Sequence, residues 1–205
     1  MPDQVLDVTE YDPWLDRWAK LLKRVGDVAL DVGCGPGYDT QVLASWGLIV
    51  TASDVSLEAI NRSQQRNPGV KHVLADARTL EPFSDGTFDL VVACLSLHYF
   101  DQVDSHHAFG AVHRVLRDGG LFAFRVNSWD DYEFGAPVNG SLWDVTLHKG
   151  RQKQFFTKEK IREVLDGRFE ILSMERCVTY RYVKRKVLLE YIARKLSRVI
   201  PGSTP

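Results

Sequence analysis

Residues 28–40, Val-Ala-Leu-Asp-Val-Gly-Cys-Gly-Pro-Gly-Tyr-Asp-Thr, leave this chain few ways to fold. Val28 to Val32, apolar but for Asp31, read as a buried strand, and Tyr38, Val42, Leu43 and Trp46 then recur at helical spacing. Between them lies a turn that carries Gly33, Gly35 and Gly37. Strand, glycine turn and helix in that order make the nucleotide-binding corner of an α/β sheet. Glycine lets the backbone take dihedrals that a Cβ forbids and lets a ligand come close.

The spacing narrows the choice of nucleotide. A dinucleotide fingerprint is G-x-G-x-x-G. Here the third glycine comes one residue early, and Tyr38 stands where that motif wants glycine. Pro36 removes an N–H from a turn that would otherwise offer donors to a pyrophosphate. No Lys-Ser or Lys-Thr follows the glycines, which excludes a P-loop.

Strand and helix patterns alternate along the rest of the chain. The periodicity predicts helices at about 38–46, 56–66, 104–117 and 158–166, with Ser56 and Thr157 as N-caps. It predicts strands at about 27–32, 48–53, 70–75, 88–94, 119–127, 168–179 and 186–194. Such alternation implies a parallel sheet covered by helices on both faces. The last two strands are joined by a short basic link, so they pair as an antiparallel hairpin. Upstream, Asp12 and Pro13 read as N-cap and first residue of a helix striped by Trp14, Trp18, Leu21, Leu22 and Val25 and ended by Gly26.

The glycine turn resembles motif I of the class I S-adenosylmethionine-dependent methyltransferases, hydrophobic-Asp-x-Gly-x-Gly-x-Gly. Further landmarks follow in that family's order. Val50-Thr-Ala-Ser-Asp54 is similar to its second strand, and Val73-Leu-Ala-Asp76-Ala77 to the end of its third. Phe88 to His98 is similar to its fourth strand and substrate-facing loop, and Leu116-Arg-Asp-Gly-Gly-Leu-Phe-Ala-Phe to its turn into strand five. Together they cover roughly residues 28–127. The resemblance implies an α/β, doubly wound, Rossmann-like seven-stranded sheet of order 3-2-1-4-5-7-6 with strand 7 antiparallel. It divides a single domain, 1–205, into an N-terminal helix or lid (1–26), a donor-binding core (27–127), an acceptor-site insertion (128–156) and a last helix with its hairpin (157–205). Residues 150–157 and 167–172 also resemble tellurite-resistance methyltransferases.

The resemblance implies S-adenosylmethionine as cofactor and S-adenosylhomocysteine as its product. It assigns donor binding to Asp31, Gly33, Cys34, Gly35, Gly37, Asp54, Val55, Asp76, Ala77 and Cys94. Asp54 would accept both ribose hydroxyls, and Asp76 with the Ala77 N–H would read the adenine. Asp31 would organise the turn or face the donor's ammonium. His98 is a candidate general base, because an unperturbed imidazole titrates near pH 6.5; a packed histidine beside the methyl group is the alternative. Tyr11, Trp14, Tyr99, Arg125 and Trp129 are candidate acceptor contacts. The stretch 128–156, rich in aromatic residues and longer than most connections, either walls the acceptor pocket or merely covers the sheet. If Arg125, Lys149, Arg151 and Lys153 converge, they favour an anionic acceptor. No acidic metal ligand ends strand four, where Cys94 stands, and the Asn/Asp-Pro-Pro-aromatic motif of amine-methylating enzymes is absent. The expectation is metal-independent transfer to a small molecule.

Composition agrees with one globular domain: 205 residues, net charge −1, 44% hydrophobic and 26% charged. That charge recruits neither nucleic acid nor an anionic membrane. The longest apolar run, Leu90 to Leu97, is far short of the ~18 residues of a membrane span. The polar start gives no signal peptide, and three scattered cysteines suit a reducing cytoplasm. The expected assembly is a monomer or homodimer. Three rival readings remain: an RNA methyltransferase using the basic, aromatic-interleaved residues 176–198, an NAD-dependent oxidoreductase, and a donor-binding module without catalysis.

Overall fold

The computed structural model describes residues 12–137, 143, 145–148, 151–182 and 184–197. Its central sheet is built from β1 (Val28–Val32), β2 (Ile49–Asp54), β3 (Lys71–Leu74), β4 (Phe88–Cys94), β5 (Leu116–Asn127), β8 (Phe169–Tyr182) and β9 (Lys184–Lys195). The order is β3-β2-β1-β4-β5-β9-β8, so the seven strands follow the 3-2-1-4-5-7-6 expectation. β3, β2, β1, β4 and β5 run parallel, whereas β9 lies antiparallel between β5 and β8. A two-stranded hairpin of β6 (Thr146–His148) and β7 (Arg151–Lys153) falls in the stretch that the sequence left without regular structure.

Alternation of side chains decides the layers. Along β4, Leu90 and Val92 enter the apolar cluster on one face while Val91 and Ala93 enter that on the other. β5 repeats the pattern with Leu121 and Ala123 against Phe122 and Phe124. Strands buried on both faces read as continuous apolar runs and need helices on both sides. α4 (Gln102–Val115) and α5 (Lys158–Leu165) cover one face through Phe109, Val112, Ile161 and Val164. α1 (Ala19–Leu22), the 3₁₀ turn before it (Trp14–Trp18) and α2 (Tyr38–Ser45) cover the other through Leu22, Trp14 and Leu43. α3 (Leu57–Arg66) packs Ile60 near Cys34 and Ala52.

Caps set the helix starts. Ser56 accepts from the Ala59 N–H at 3.3 Å, and Thr157 from that of Lys160 at 3.2 Å. α4 begins two residues before its expected start because Asp101 caps it, accepting from the Asp104 N–H at 2.8 Å. β5 begins at Leu116, earlier than expected; the Gly119-Gly120 region lies within it, beside a shift in register against β4.

The N-terminal helix departs further. Residues 14–18 form a 3₁₀ turn, and only 19–22 are α-helical. Asp12 does not cap it, since the carboxylate pairs with the Arg125 guanidinium at 2.8 Å. Pro13 takes φ −75° and ψ 47°, outside the helical region. The segment is held by side chains: Arg17 pairs with Glu190 of β9, and at 3.2 Å with Glu175 of β8.

Phe124 centres the core, with Phe122 stacked at 4.5 Å, Tyr191 stacked at 5.1 Å and Phe109 edge-on at 5.3 Å. Removing so enclosed a ring leaves a cavity that such neighbours cannot refill. Phe124→Ala is expected to lower unfolding stability by about 3–5 kcal/mol, read in urea as a lower midpoint at unchanged slope.

Candidate active site

The parallel strands β1, β2 and β4 all end at one edge of the sheet, where such folds place ligands. A cleft of about 900 Å³ opens there. Its first wall is the glycine turn. The N–H groups of Gly33 and Cys34 both donate to the Ser53 carbonyl, at 2.7 and 2.9 Å, which closes β1 onto β2. Asp54 then accepts from the Gly35 N–H at 3.0 Å and from the Ser56 N–H at 2.9 Å.

The glycines differ in what they provide. A Cβ on Gly33 would lie 2.3 Å from the Ser96 Cβ, so this glycine (φ +68°) serves close packing between β1 and the segment after β4. Gly35 also has a left-handed φ, +52°, but a Cβ there would meet nothing within 4 Å. Its backbone borders open space in the cleft. Gly37 lies away from the cleft lining, where its α-carbon faces Ser63 and Asn67.

Carboxylates surround this end. Asp31 is buried at the end of β1 and accepts from the Thr40 hydroxyl at 2.6 Å. Asp39, in the first turn of α2, accepts from the Trp14 indole N–H at 3.0 Å. Burial, and then the nearby Asp39, push the Asp31 carboxyl up to about 8. Burial, and then Asp31, push the Cys34 thiol up to about 12; burial, and then Asp39, hold Cys94 well above the usual thiol range. Asp76 borders the cleft too, but both its oxygens already accept from Arg78, which holds its carboxyl below the usual range.

Part of the lining is basic and aromatic. Lys153 of β7 and Lys186 of β9 are 7% and 5% exposed, and both line the cleft. Phe134 stands between them, its ring 5.4 Å from the Lys153 Nζ and 4.3 Å from that of Lys186. His98 lies beside them, 3% exposed and tilted against Tyr99 at 4.2 Å. Burial, and then the two ammonium groups, hold its imidazole well below the usual range, so it is neutral at physiological pH. Leu95, between Cys94 and Ser96, takes φ +56°. A branched side chain is strained in that region, and strain of this kind gathers where ligands bind.

Asp31, Gly33, Cys34, Gly35, Asp54, Val55, Asp76, Ala77, Cys94, Trp14, His98 and Tyr99 thus all border one cleft. Arg125 does not: it is 3% exposed and bound to Asp12, with Glu190 at 3.8 Å. Carboxylates already compensate its charge, so it is unsuited to an acceptor contact. Trp129 is half-buried away from the cleft, its N–H on the Phe156 carbonyl at 2.9 Å. Tyr11 and Lys149 lie outside the described residues. Sequence reasoning passed over Asp39, Leu95 and Lys186 as lining residues, and reached Phe134 only as one aromatic of the 128–156 stretch. Of the first three, Asp39 carried a local signal, an acid just after the glycine turn.

Comparison with known proteins places this geometry. The family described as "Methyltransferase domain" matches residues 30–124. Malonyl-[acyl-carrier protein] O-methyltransferase of Pseudescherichia vulneris is 37% identical over 149 residues, 73% of this chain and 57% of that protein. A SAM-dependent methyltransferase from Methanosarcina mazei is 24% identical with a TM-score of 0.76, over 92% of this chain and 100% of its own. The 1,6-didemethyltoxoflavin-N1-methyltransferase of Burkholderia thailandensis, solved with bound 1,6-didemethyltoxoflavin and S-adenosylhomocysteine, is 24% identical with a TM-score of 0.67, over 91% and 82% of the two chains. The chain spans about half the length of the curated relatives it matches.

The raised Asp31 carboxyl has a consequence for stability. A carboxylate whose folded value exceeds its unfolded value of 3.8 stabilises the fold at low pH and loses that contribution as pH rises toward about 8. Asp31→Asn keeps an acceptor for Thr40 without the charge. It is expected to raise the ligand-free melting midpoint at neutral pH by several degrees, with a gain over wild type that widens from pH 5 to pH 8. Thermal unfolding across that range checks it.

Proposed function

We propose that this chain, which belongs to the class I S-adenosylmethionine-dependent methyltransferases, transfers a methyl group to a small-molecule acceptor held in the basic half of the cleft. One observation carries the reading: carboxyl groups crowd the glycine turn. Asp39 occupies the first turn of α2, where a pyrophosphate would otherwise dock, Asp54 flanks it, and Asp31, pushed up to about 8, ionises more readily once a cation lies beside it. Such a site repels the diphosphate of NAD and attracts a cation.

The residues fit a donor that is cationic and carries an adenosine. Open space at Gly35 admits a ribose beside Asp54, whose carboxylate is suited to two hydroxyls. The Ala77 N–H and Asp76 suit the adenine, and Asp31 with Asp39 suits the positive end. When bound, S-adenosylmethionine supplies an activated methyl group on a sulfonium that leaves as a neutral thioether. The chain therefore has mainly to orient the two reactants. Alignment supplies about 7–11 kcal/mol, against about 3–5 kcal/mol for a general base. Burial, and then the Lys186 and Lys153 ammonium groups, disfavour the protonated form of His98, so it is better suited to shaping the pocket floor than to taking a proton.

The insertion 128–156 contributes Phe134, Gln152 and Lys153 to the cleft and the N-terminal segment contributes Trp14, which supports an acceptor chamber walled by both. The two relatives whose names give an acceptor, a malonyl-acyl carrier protein and 1,6-didemethyltoxoflavin, support a small acceptor group. Three of the basic residues of the last hairpin are already engaged or covered: Arg176 pairs with Asp130, Arg194 with Glu170, and Lys186 is buried. Among the described residues no helix is long and apolar enough to cross a membrane, and the three cysteines are free, which supports a cytoplasmic setting.

In thermal-shift and calorimetric titrations, S-adenosylhomocysteine is expected to stabilise the protein and NAD to leave it unchanged. Loss of a charge-assisted pair to the ribose removes about 1.5–3 kcal/mol. Asp54→Asn should therefore weaken S-adenosylhomocysteine binding about ten- to a hundredfold; equal affinity of wild type and variant would refute the role given to Asp54.

A further inference from the structure

Asp76, which borders the cleft just after β3, is saturated by one neighbour. Its Oδ1 accepts from the Arg78 backbone N–H at 2.8 Å and from the Arg78 Nε at 3.1 Å. Its Oδ2 accepts from the same Nε at 2.9 Å and from Nη2 at 2.5 Å. A carboxylate offers about four lone-pair sites, so these contacts leave none for a ligand. The guanidinium is not needed to orient Asp76, because the backbone bond from residue 78 closes an Asx turn and fixes Oδ1 by itself. What the side chain adds is occupation of Oδ2, the oxygen that the turn leaves open. Arg78 also has a second anchor: its Nη1 donates at 3.1 Å to Oδ2 of Asp104, in the first turn of α4. The other oxygen of Asp104 lies 3.7 Å from the His107 imidazole, beyond hydrogen-bond reach, so Asp104 can take the guanidinium by both oxygens. Asp76 and Arg78 border the cleft and Asp104 lies outside its lining. All three side chains are partly exposed, so Arg78 can pass between the two acids without entering the core.

From this arrangement we infer that Arg78 competes with the donor's base for Asp76: it occupies the carboxylate in the ligand-free protein and withdraws to Asp104 when a nucleobase with an exocyclic amine claims it. On the donor reading, on which this proposal rests, the base that reaches Asp76 is an adenine. Its amine donates to Oδ2 in place of the guanidinium, and Asp104 keeps the displaced charge paired. One exposed ion pair is exchanged for another, and a hydrogen bond to a charged acceptor is gained, so the exchange favours binding. Adenine is nevertheless held less tightly than an unoccupied Asp76 would hold it. A base without the amine has nothing to give Asp76 and leaves Arg78 in place. Arg78 thus acts on the base through Asp76, as a residue that tunes affinity and selectivity and takes no part in the chemistry. A looser hold on the base eases departure of S-adenosylhomocysteine, and product release limits many enzymes.

The test is calorimetric titration with S-adenosylhomocysteine, and with adenosine against purine riboside, the same nucleoside without the amine. Arg78→Met keeps an aliphatic stem and frees Asp76. It is expected to tighten S-adenosylhomocysteine and adenosine about two- to fivefold, the range of an exposed ion pair, and to leave purine riboside unchanged. Asp104→Asn weakens the second anchor, holds Arg78 more firmly on Asp76 and should loosen S-adenosylhomocysteine by a similar factor. In the double variant the Asp104→Asn effect should vanish, because no guanidinium remains to be held. Three results would each overturn the inference: S-adenosylhomocysteine bound by wild type but no more tightly by Arg78→Met, equal gains for adenosine and purine riboside, or an Asp104→Asn effect that survives in the double variant. Wild-type protein that binds none of the three ligands would sink the donor reading, and the inference with it.

Discussion

Everything at this site hangs on how β1 is closed onto β2. Two consecutive N–H groups, of Gly33 and Cys34, converge on the Ser53 carbonyl, and the next residue of β2, Asp54, takes the Gly35 N–H. These three bonds satisfy a tight left-handed turn that otherwise leaves its donors bare in a half-buried setting. They also fix Asp54 beside open space and bring Ser96 against Gly33, which ties the segment after β4 into the same knot. The cleft exists because the chain cannot fill the space that the turn encloses.

Charge is distributed along this cleft with an order that packing alone does not require. Apolar strands buried on both faces push polar residues to their ends, and at the carboxyl ends of β1 and β2 those residues are carboxylates. The lysines reach the cleft from β7 and β9, elements laid down late in the chain and tied back by the Asn127–Phe156 and Ser128–Val187 backbone bonds. Asp31, Lys153 and Lys186 are each held away from their usual titration, by burial first, and so weaken the ligand-free fold. A site that stores unfavourable burial is stabilised when ligands of opposite charge enter, the usual trade of stability for function.

Most element boundaries were legible in the sequence because apolar runs, helical periodicity and glycine punctuation are local signals; the sheet order came from the family resemblance, since no local signal states which strands pair. That Asp31, Gly35 and Asp54 border one cleft was legible too, because they sit in short motifs at the ends of β1 and β2. The acceptor half was not. Lys186 looks like one basic residue among several on an edge hairpin, and only the pairing of β9 between β5 and β8 turns it inward. Arg125 looked like a free cation at a strand end, and its partners, Asp12 and Glu190, come from residues 113 positions before and 65 after it in the sequence. The N-terminal segment read as a regular helix from its apolar stripe, but ion pairs to Arg125, Glu175 and Glu190 place it, and they compete with the cap that periodicity presumes.

A crystal structure of the protein with S-adenosylhomocysteine is expected to show the ribose hydroxyls on Asp54, the adenine toward Asp76 and Ala77, the amino-acid end toward Asp31 and Asp39, and Lys153 and Lys186 untouched by it. S-adenosylhomocysteine bound against Lys153 and Lys186, with Asp54 untouched, would contradict that placement.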